Sequence, residues 1–319
     1  MSHLNEPHFH DEKAAFAFVE AHLWKDGRAC PHCGVVDESG ALKGKSTRVG
    51  LYKCYACRKP FTVRMGTIFE SSHIKLHLWL QAIFLMVSSK KGISANQLHR
   101  TLGITLKSAW FLSHRIREAM RDGGLSLLGG ESGIIEADET YYGTKESPPT
   151  HKSDGTPFIH KGGGPARKRA IVSLVERGGA VRSFHVDRAD IPTINAICAK
   201  NIAKEVRLMT DESRLYGPIG STFSSHERIH HSKGEYARGD THTNTVEGYF
   251  SIFKRGMKGV YQHCKEKHLH RYLAEFDFRY NAREAVGVND TKRADKALGQ
   301  VVGKRLTYRA LGSKGKVAN

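Results

Sequence analysis

The sequence predicts an α+β chain of several domains, with an N-terminal zinc ribbon and a helix-turn-helix region followed by a mixed α/β core. Three observations carry this expectation. Cys30, Cys33, Cys54 and Cys57 form two Cys-x-x-Cys pairs separated by 20 residues. Apolar residues at helical spacing, punctuated by Ser, Thr and Gly, follow over about 71–120. Two short apolar runs then stop on an aspartate, at Asp138 and Asp211, with further strand and helix patterns between and after them.

Residues 1–28 hold a short helix over about 11–24, with Asp11 as its N-cap and Phe16, Val19 and Leu23 on its apolar stripe. Residues 29–68 hold the ribbon, where two thiolate-presenting turns are separated by enough chain for a hairpin. Four thiolates leave no open position, so the zinc is expected to be structural, and so small a segment needs it to fold. His32 lies inside the first pair and reads as a surface residue. Lys45, Arg48, Lys53, Arg58 and Lys59 make the ribbon basic, which suits a phosphate backbone and equally suits a solvated face.

Residues 69–123 read as the helix-turn-helix region. Ser71 or Ser72 is placed to cap a helix that buries Leu76, Trp79, Leu80, Ile83, Phe84 and Val87. Ser94 caps a second helix, Gly103 makes a tight turn, and Thr105 caps a third that runs to about Met120. Ala109, Leu112 and Ile116 pack inward. Lys107, Ser108, Phe111, His114 and Arg115 are the candidates for a face that reads DNA, with Arg115, Arg117 and Arg121 equally suited to phosphates.

Glycines at 123, 124, 129 and 130 mark the boundary before the core, residues 130–285. After the first strand comes a basic loop over 143–168, rich in Pro, Gly, Lys and Ser and expected to order on DNA, with Lys168 and Arg169 at its end as DNA contacts. Residues 170–175 and 181–186 read as a hairpin through Gly178 and Gly179, followed by a helix over about 193–204 and the strand that ends on Asp211. A helix over about 268–284 carries Leu269, Tyr272, Leu273, Phe276 and Tyr280 and should cover the sheet, with Glu275 and Arg279 as an ordinary pair four apart. Residues 286–319 read as a basic C-terminal tail with room for one more helix.

The chemistry is concentrated in three acidic stretches. Asp138 and Asp211 each stand where an apolar run stops. From Asn244 onward, Val246, Phe250, Phe253 and Met257 recur at helical spacing, so Asn244 and Glu247 share a helix face, and either completes a metal site. Clustered carboxylates of this kind suit two-metal phosphoryl transfer, with ions about 3.5–4 Å apart that activate the attacking and leaving oxygens. Hard oxygen ligands favour Mg²⁺ or Mn²⁺ over zinc. Lys254, seven positions beyond Glu247, falls on the same face and is placed for a DNA phosphate. Glu136 and Glu139 flank Asp138 and stay outside the metal set, on the expectation that strand alternation turns both away from it. The histidines 226, 230, 231 and 242 lack a compact ligand spacing and read as loop residues.

The run 136–143, Glu-Ala-Asp-Glu-Thr-Tyr-Tyr-Gly, the Thr210-Asp211-Glu212 step, and 231–236 leading into 242–250 resemble the DDE-type transposases of bacterial insertion sequences, specifically the ISXO type. The resemblance covers about 16–283. It implies an RNase H-like core, a fit with the order of three strands, helix and strand. It further implies DNA cleavage and strand transfer with divalent metal, binding to an element's terminal inverted repeats and to target DNA, and a homodimer or larger assembly that holds two ends. Asp138 and Asp211 carry over as catalytic residues. The third position stays open between Asn244, which family usage favours, and Glu247, favoured by charge and by its spacing to Asp211 and Lys254.

Composition agrees with such a partner. Lys and Arg number 50 against 32 Asp and Glu, a net charge of +18 over 319 residues, which points to a polyanion. Apolar runs fall short of the roughly 18–20 residues that span a membrane, and the N-terminus lacks signal-peptide regions, so a cytoplasmic, nucleoid-associated protein is expected. Two other functions fit the same features: a zinc-ribbon DNA-binding regulator with an idle core, and a structure-specific nuclease that cuts without joining.

Overall fold

Asp11 accepts from the Ala14 amide at 2.8 Å and opens α1 (Glu12–Leu23), whose Ala15, Phe16 and Val19 are buried, as the periodicity requires. The computed structural model describes residues 3–121, 126–130, 133–146, 151, 155–157 and 165–308. The chain divides into two units, one of Met1–Arg121 with Val288–Asn319 and one of Asp122–Gly287.

In the first unit the ribbon is a three-stranded antiparallel sheet of β1 (Ser39–Ala41), β2 (Tyr52–Cys54) and β3 (Pro60–Phe61). Its core is small: Phe61, Cys30 and Cys54, with Trp24, Tyr52 and Met65 packed around them. α2 (Leu76–Ser88) starts four residues beyond the serines expected to cap it. Glu12 of α1 supplies the cap instead, accepting from the Leu76 amide at 2.9 Å and the His77 amide at 3.3 Å. A cap donated from another element leaves no local sequence signature. α3 (Ala95–Leu102) and α4 (Leu106–Met120) begin where predicted, on Ser94 and Thr105, with Gly103 between them at φ 64°, a left-handed turn that suits glycine.

The second unit is built on a five-stranded sheet. β4 (Ile134–Thr144), β5 (Lys168–Glu176) and β6 (Val181–Val186) are antiparallel neighbours, whereas β7 (Arg207–Thr210) and β8 (Ser225–Arg228) run parallel to β4, giving the order β6-β5-β4-β7-β8. Two layers of helix cover it. On one face α5 (Ile191–Asn201), capped by Asp190, and the single turn α6 (Gly217–Gly220) pack over Ile135, Ala137, Val172, Leu174 and Leu208. On the other, Val246, Tyr249, Phe250 and Phe253 of α7 (Asn244–Gly256) and Leu269, Tyr272, Leu273 and Phe276 of α8 (Leu269–Asn281) pack over Ile171, Val175 and Val181. β8 falls in the stretch between Asp211 and Glu247 but carries no strand signature of its own: its four residues are half-buried and polar, a composition that reads as loop.

A polar network fixes α7 and α8 to β6. Asp277 accepts from the Tyr249 hydroxyl at 2.5 Å and from the Ser183 amide and hydroxyl at 2.8 Å each, and burial pushes its carboxyl up to about 6. Asp277→Ala leaves these donors short of partners. It should destabilise the second unit by about 2–3 kcal/mol, read from denaturant unfolding, with an effect under about 0.5 kcal/mol contradicting this role.

The chain then returns to the first unit. Residues 286–319, expected as a basic tail with room for one more helix, contain α9 (Asp290–Gly299), capped by Asn289 and burying Arg293, Ala297 and Leu298. Arg293 donates to the Val87 carbonyl at 3.0 Å, satisfying a carbonyl near the C-terminal end of α2, and the Ile68 amide donates to the Val301 carbonyl at 3.2 Å. The basic charge hid an apolar stripe that needed cover.

Candidate metal centres

In the ribbon the two Cys-x-x-Cys turns face each other. The Sγ atoms of Cys30 and Cys57, and of Cys33 and Cys54, are 3.7 Å apart, and all four lie within 4.8 Å of one another. A tetrahedral zinc with bonds of about 2.3 Å has sulfur–sulfur edges of about 3.8 Å, so the four thiols fit the ion, whereas a disulfide would need about 2.05 Å. The Cys57 amide donates to the Cys54 Sγ at 3.5 Å and lowers that thiol, while the crowding of the other three thiols pushes Cys33 up, so in the absence of an ion the four do not all ionise together. His32 is exposed and its Nε2 sits 3.2 Å from the Pro60 carbonyl, outside this set.

The second centre lies on the sheet. β4 pairs with β7 in parallel register, Glu136 opposite Met209, and continuing the register by two residues places Asp138 beside Asp211. β7 stops at Thr210, whereas β4 runs on to Thr144 because β5 pairs with it along that length. Contrary to expectation, the first strand therefore does not end at Asp138; Asp138 sits where a central strand outruns its parallel neighbour. Asp211 accepts from the Ser213 amide at 2.9 Å, a bond that fixes its carboxylate just beyond the end of β7.

Glu247 belongs to this group and Asn244 adjoins it. Both lie in the first turn of α7, both are exposed, and the Thr243 hydroxyl donates to Glu247 Oε1 at 2.9 Å, with His231 Nε2 at 3.3 Å from the same oxygen. Burial first, then the charges of Asp211, Glu139 and Glu247, push the Asp138 carboxyl up to about 8. Acids that disfavour one another's charge in this way are what a divalent cation neutralises, so the donor set fits hard metal ions. Their oxygens are more dispersed than the four sulfurs: among the described residues only the cysteines gather three or more such atoms within 4.8 Å.

Alternation along β4 corrects one expectation and supports another. Ile135, Ala137 and Glu139 face α5 and α6, and Glu139 is half-buried beside the buried Tyr216. Glu136, two residues before Asp138, shares its face rather than opposing it, and is fully buried. Sequence reasoning missed this acid, although its even spacing from Asp138 was the signal.

The predicted DNA contacts divide. Lys107 is exposed at the start of α4, with its ammonium 4.8 Å from the Tyr308 ring centroid; Lys168 is exposed at the start of β5; Lys254 is half-buried on α7, about two turns beyond Glu247. Arg115 and Arg169 are inside the fold. Arg115, 2% exposed, donates to the Glu70 carbonyl and lies 5.3 Å from the Trp79 ring; Arg169, 7% exposed, donates to the carbonyls of Thr144 and Cys264. His114 is buried as well, so α4 exposes little beyond its first turn. Of the basic loop, residues 147–150, 152–154 and 158–164 lie outside the described residues.

Comparison with known proteins follows the same division. The transposase zinc-ribbon domain family matches residues 10–60, and the ISXO2-like transposase domain family matches residues 131–281. An uncharacterized protein in the transposable element ISH50 of Halobacterium salinarum is 27% identical over 280 residues, which span 85% of this chain and 91% of that protein. The chain therefore carries a transposase zinc-ribbon domain followed by an ISXO2-like transposase domain.

Proposed function

We propose that this chain is the DNA transposase of an insertion sequence, cleaving DNA at the element's terminal inverted repeats and joining the freed strands to target DNA. The observation that carries the reading is the register of β4 and β7, which sets Asp138 beside Asp211 with Glu247 close enough to act on Asp138. The strand order, with three antiparallel strands and two further parallel strands on the far side of the first, supports an RNase H-like plan. Asp138, Asp211 and Glu247 would hold two Mg²⁺ or Mn²⁺ ions, which when bound activate the attacking oxygen and offset charge on the leaving one. The chain's residues do the rest. Lys254, and Lys168 at the end of the basic loop, meet the DNA backbone, and the in-line geometry serves water first and a freed 3′-hydroxyl second, with no covalent protein–DNA link.

The ribbon and the α3–α4 pair are assigned to DNA binding, through Asn96, Gln97, Arg100 and Lys107, which are exposed on those helices. Two element ends must be held together, so the active form is a dimer or larger assembly on DNA. Among the described residues no helix is long and apolar enough to cross a membrane.

Two expected results bear on the metal site. Glu247→Gln should reduce metal-dependent cleavage by about 10²-fold or more, since an amide replaces a charged ligand, whereas Asn244→Ala should cost about tenfold or less. Rates on a labelled end duplex decide it, and the reverse ranking would make Asn244 the ligand. The second concerns pH. Asp138 in the metal-free protein holds its proton up to about pH 8, against about 4 when unfolded, so the metal-free unit loses stability as pH rises through that window. Metal must displace the proton, so affinity for Mn²⁺ should rise about tenfold per pH unit up to about 8 and then level off. Calorimetric titration at several pH values measures this, and a flat profile between pH 6 and 8 would refute it.

A further inference from the structure

We propose that Glu136 is the positioning residue that seats α7 against the catalytic strand and so sets where the third metal ligand stands; this rests on the two-metal reading above. Glu136 is fully buried on the Asp138 face of β4. Its carboxylate crosses to the start of α7, where Oε2 accepts from the Thr245 amide at 2.8 Å and the Val246 amide at 3.0 Å. Oε1 accepts from the Thr245 hydroxyl at 2.8 Å and from Arg177 Nε at 2.7 Å.

These four donors use about the whole accepting capacity of a carboxylate, which leaves no lone pair for a cation. Glu136 is therefore not a fourth metal ligand, despite its place two residues from Asp138. What it supplies is a cap: negative charge at a helix N-terminus, bonded to amides that the helix itself cannot satisfy.

The local cap is absent for a reason visible in the structure. Thr243 occupies the N-cap position of α7 but makes no side-chain bond to the helix amides, because its hydroxyl donates to Glu247 instead. Two tasks that one residue often shares are divided here: Thr243 orients the Glu247 carboxylate, and Glu136 anchors the turn that carries both Asn244 and Glu247. Arg177 secures the approach to that turn, donating to Glu136 and also to the carbonyls of Asp240 at 2.6 Å and His242 at 2.9 Å. Because Glu136 and Asp138 belong to one strand, the anchor transmits the position of one ligand to the other through a single rigid segment of backbone.

The test compares the full chain with Glu136→Gln, which keeps the volume but turns an amide group toward bound donors, and with Thr245→Val, which removes one donor and leaves the helix amides intact. Amide hydrogen exchange of residues 243–250 is measured without metal, Mn²⁺ binding by calorimetry, and cleavage as a function of Mg²⁺. In Glu136→Gln, exchange at Thr245 and Val246 should rise about tenfold and Mn²⁺ affinity should fall about 10–100-fold, while cleavage at saturating Mg²⁺ stays within about threefold of wild type. Thr245→Val should shift exchange and affinity in the same direction by a smaller factor. Unchanged exchange at the start of α7 in both variants overturns the proposal, as does cleavage lost at every Mg²⁺ concentration, which is the behaviour of a ligand. Exchange and Mn²⁺ binding require no DNA chemistry, so the proposal stands or falls even if wild type neither cuts nor joins DNA.

Discussion

Stripping zinc from the protein, or replacing Cys54 with Ser, unfolds the ribbon. Binding of a structural zinc by such a site is worth about 10–16 kcal/mol, and here that energy is folding energy. Strands of three, three and two residues around Phe61, Cys30 and Cys54 bury too little apolar surface to hold together unaided. α1, with its own cap and its own buried Phe16 and Val19, should survive, as should the second unit, which holds none of the four cysteines. Amide exchange in the presence of a strong chelator checks this, with protection lost over residues 29–63 and kept in β4 to β8. Ribbon protection that persists after zinc is gone would show that the four thiols are not what folds it.

Asp211→Asn is expected to act in opposite directions on activity and stability. Losing one carboxylate from the metal site removes several kcal/mol of transition-state stabilisation, so cleavage should fall by about 10³-fold or more. In the metal-free protein the same carboxylate repels Asp138, which is held at about 8 by burial and by the Asp211, Glu139 and Glu247 charges. Without Asp211 that carboxyl should move down toward its ordinary range, and the metal-free second unit should gain about 1 kcal/mol above pH 7. Thermal unfolding with and without Mg²⁺ tests both halves: the variant should melt higher than wild type without metal and gain less from its addition. A variant less stable than wild type without metal would show that Asp211 serves the fold rather than the site.

The contrast between Asp138 and Arg115 shows what was legible in the sequence. The placement of Asp138 beside Asp211, and of Asn244 and Glu247 in one turn of α7, follows from apolar runs and a helical stripe that fix the backbone, with β pairing supplying the register. The four cysteines are clearer still, since their spacing is itself the ligand geometry. Asp11, Ser94 and Thr105 cap their helices as read, for a side chain that bonds an amide three residues on needs only local chain. Arg115 and Arg169 have the same composition signature as DNA contacts, yet their guanidinium groups satisfy carbonyls at Glu70, Thr144 and Cys264, partners far away in sequence. The same blindness hid Glu12 and Glu136, an acid on another helix and an acid on a strand, each of which caps a helix distant in sequence. α9 is legible only as room for one more helix: its lysines and arginines dominate the composition, while the buried Ala297 and Leu298 are too few to show what it packs on until α2 is there to receive Arg293. Side chains whose role is local can be read from sequence, and polar side chains whose partners lie across the fold cannot.

The most direct test of the transposase reading is incubation of the purified full chain with Mg²⁺, a labelled duplex carrying the element's own end and a target plasmid, beside Asp211→Ala. The predicted result is labelled strand joined to the plasmid by wild type and lost in the variant, with duplex binding retained by both. Cuts without joined strands would contradict the account in favour of a nuclease, and tight binding with no cutting by either protein would contradict it in favour of a regulator with an idle core.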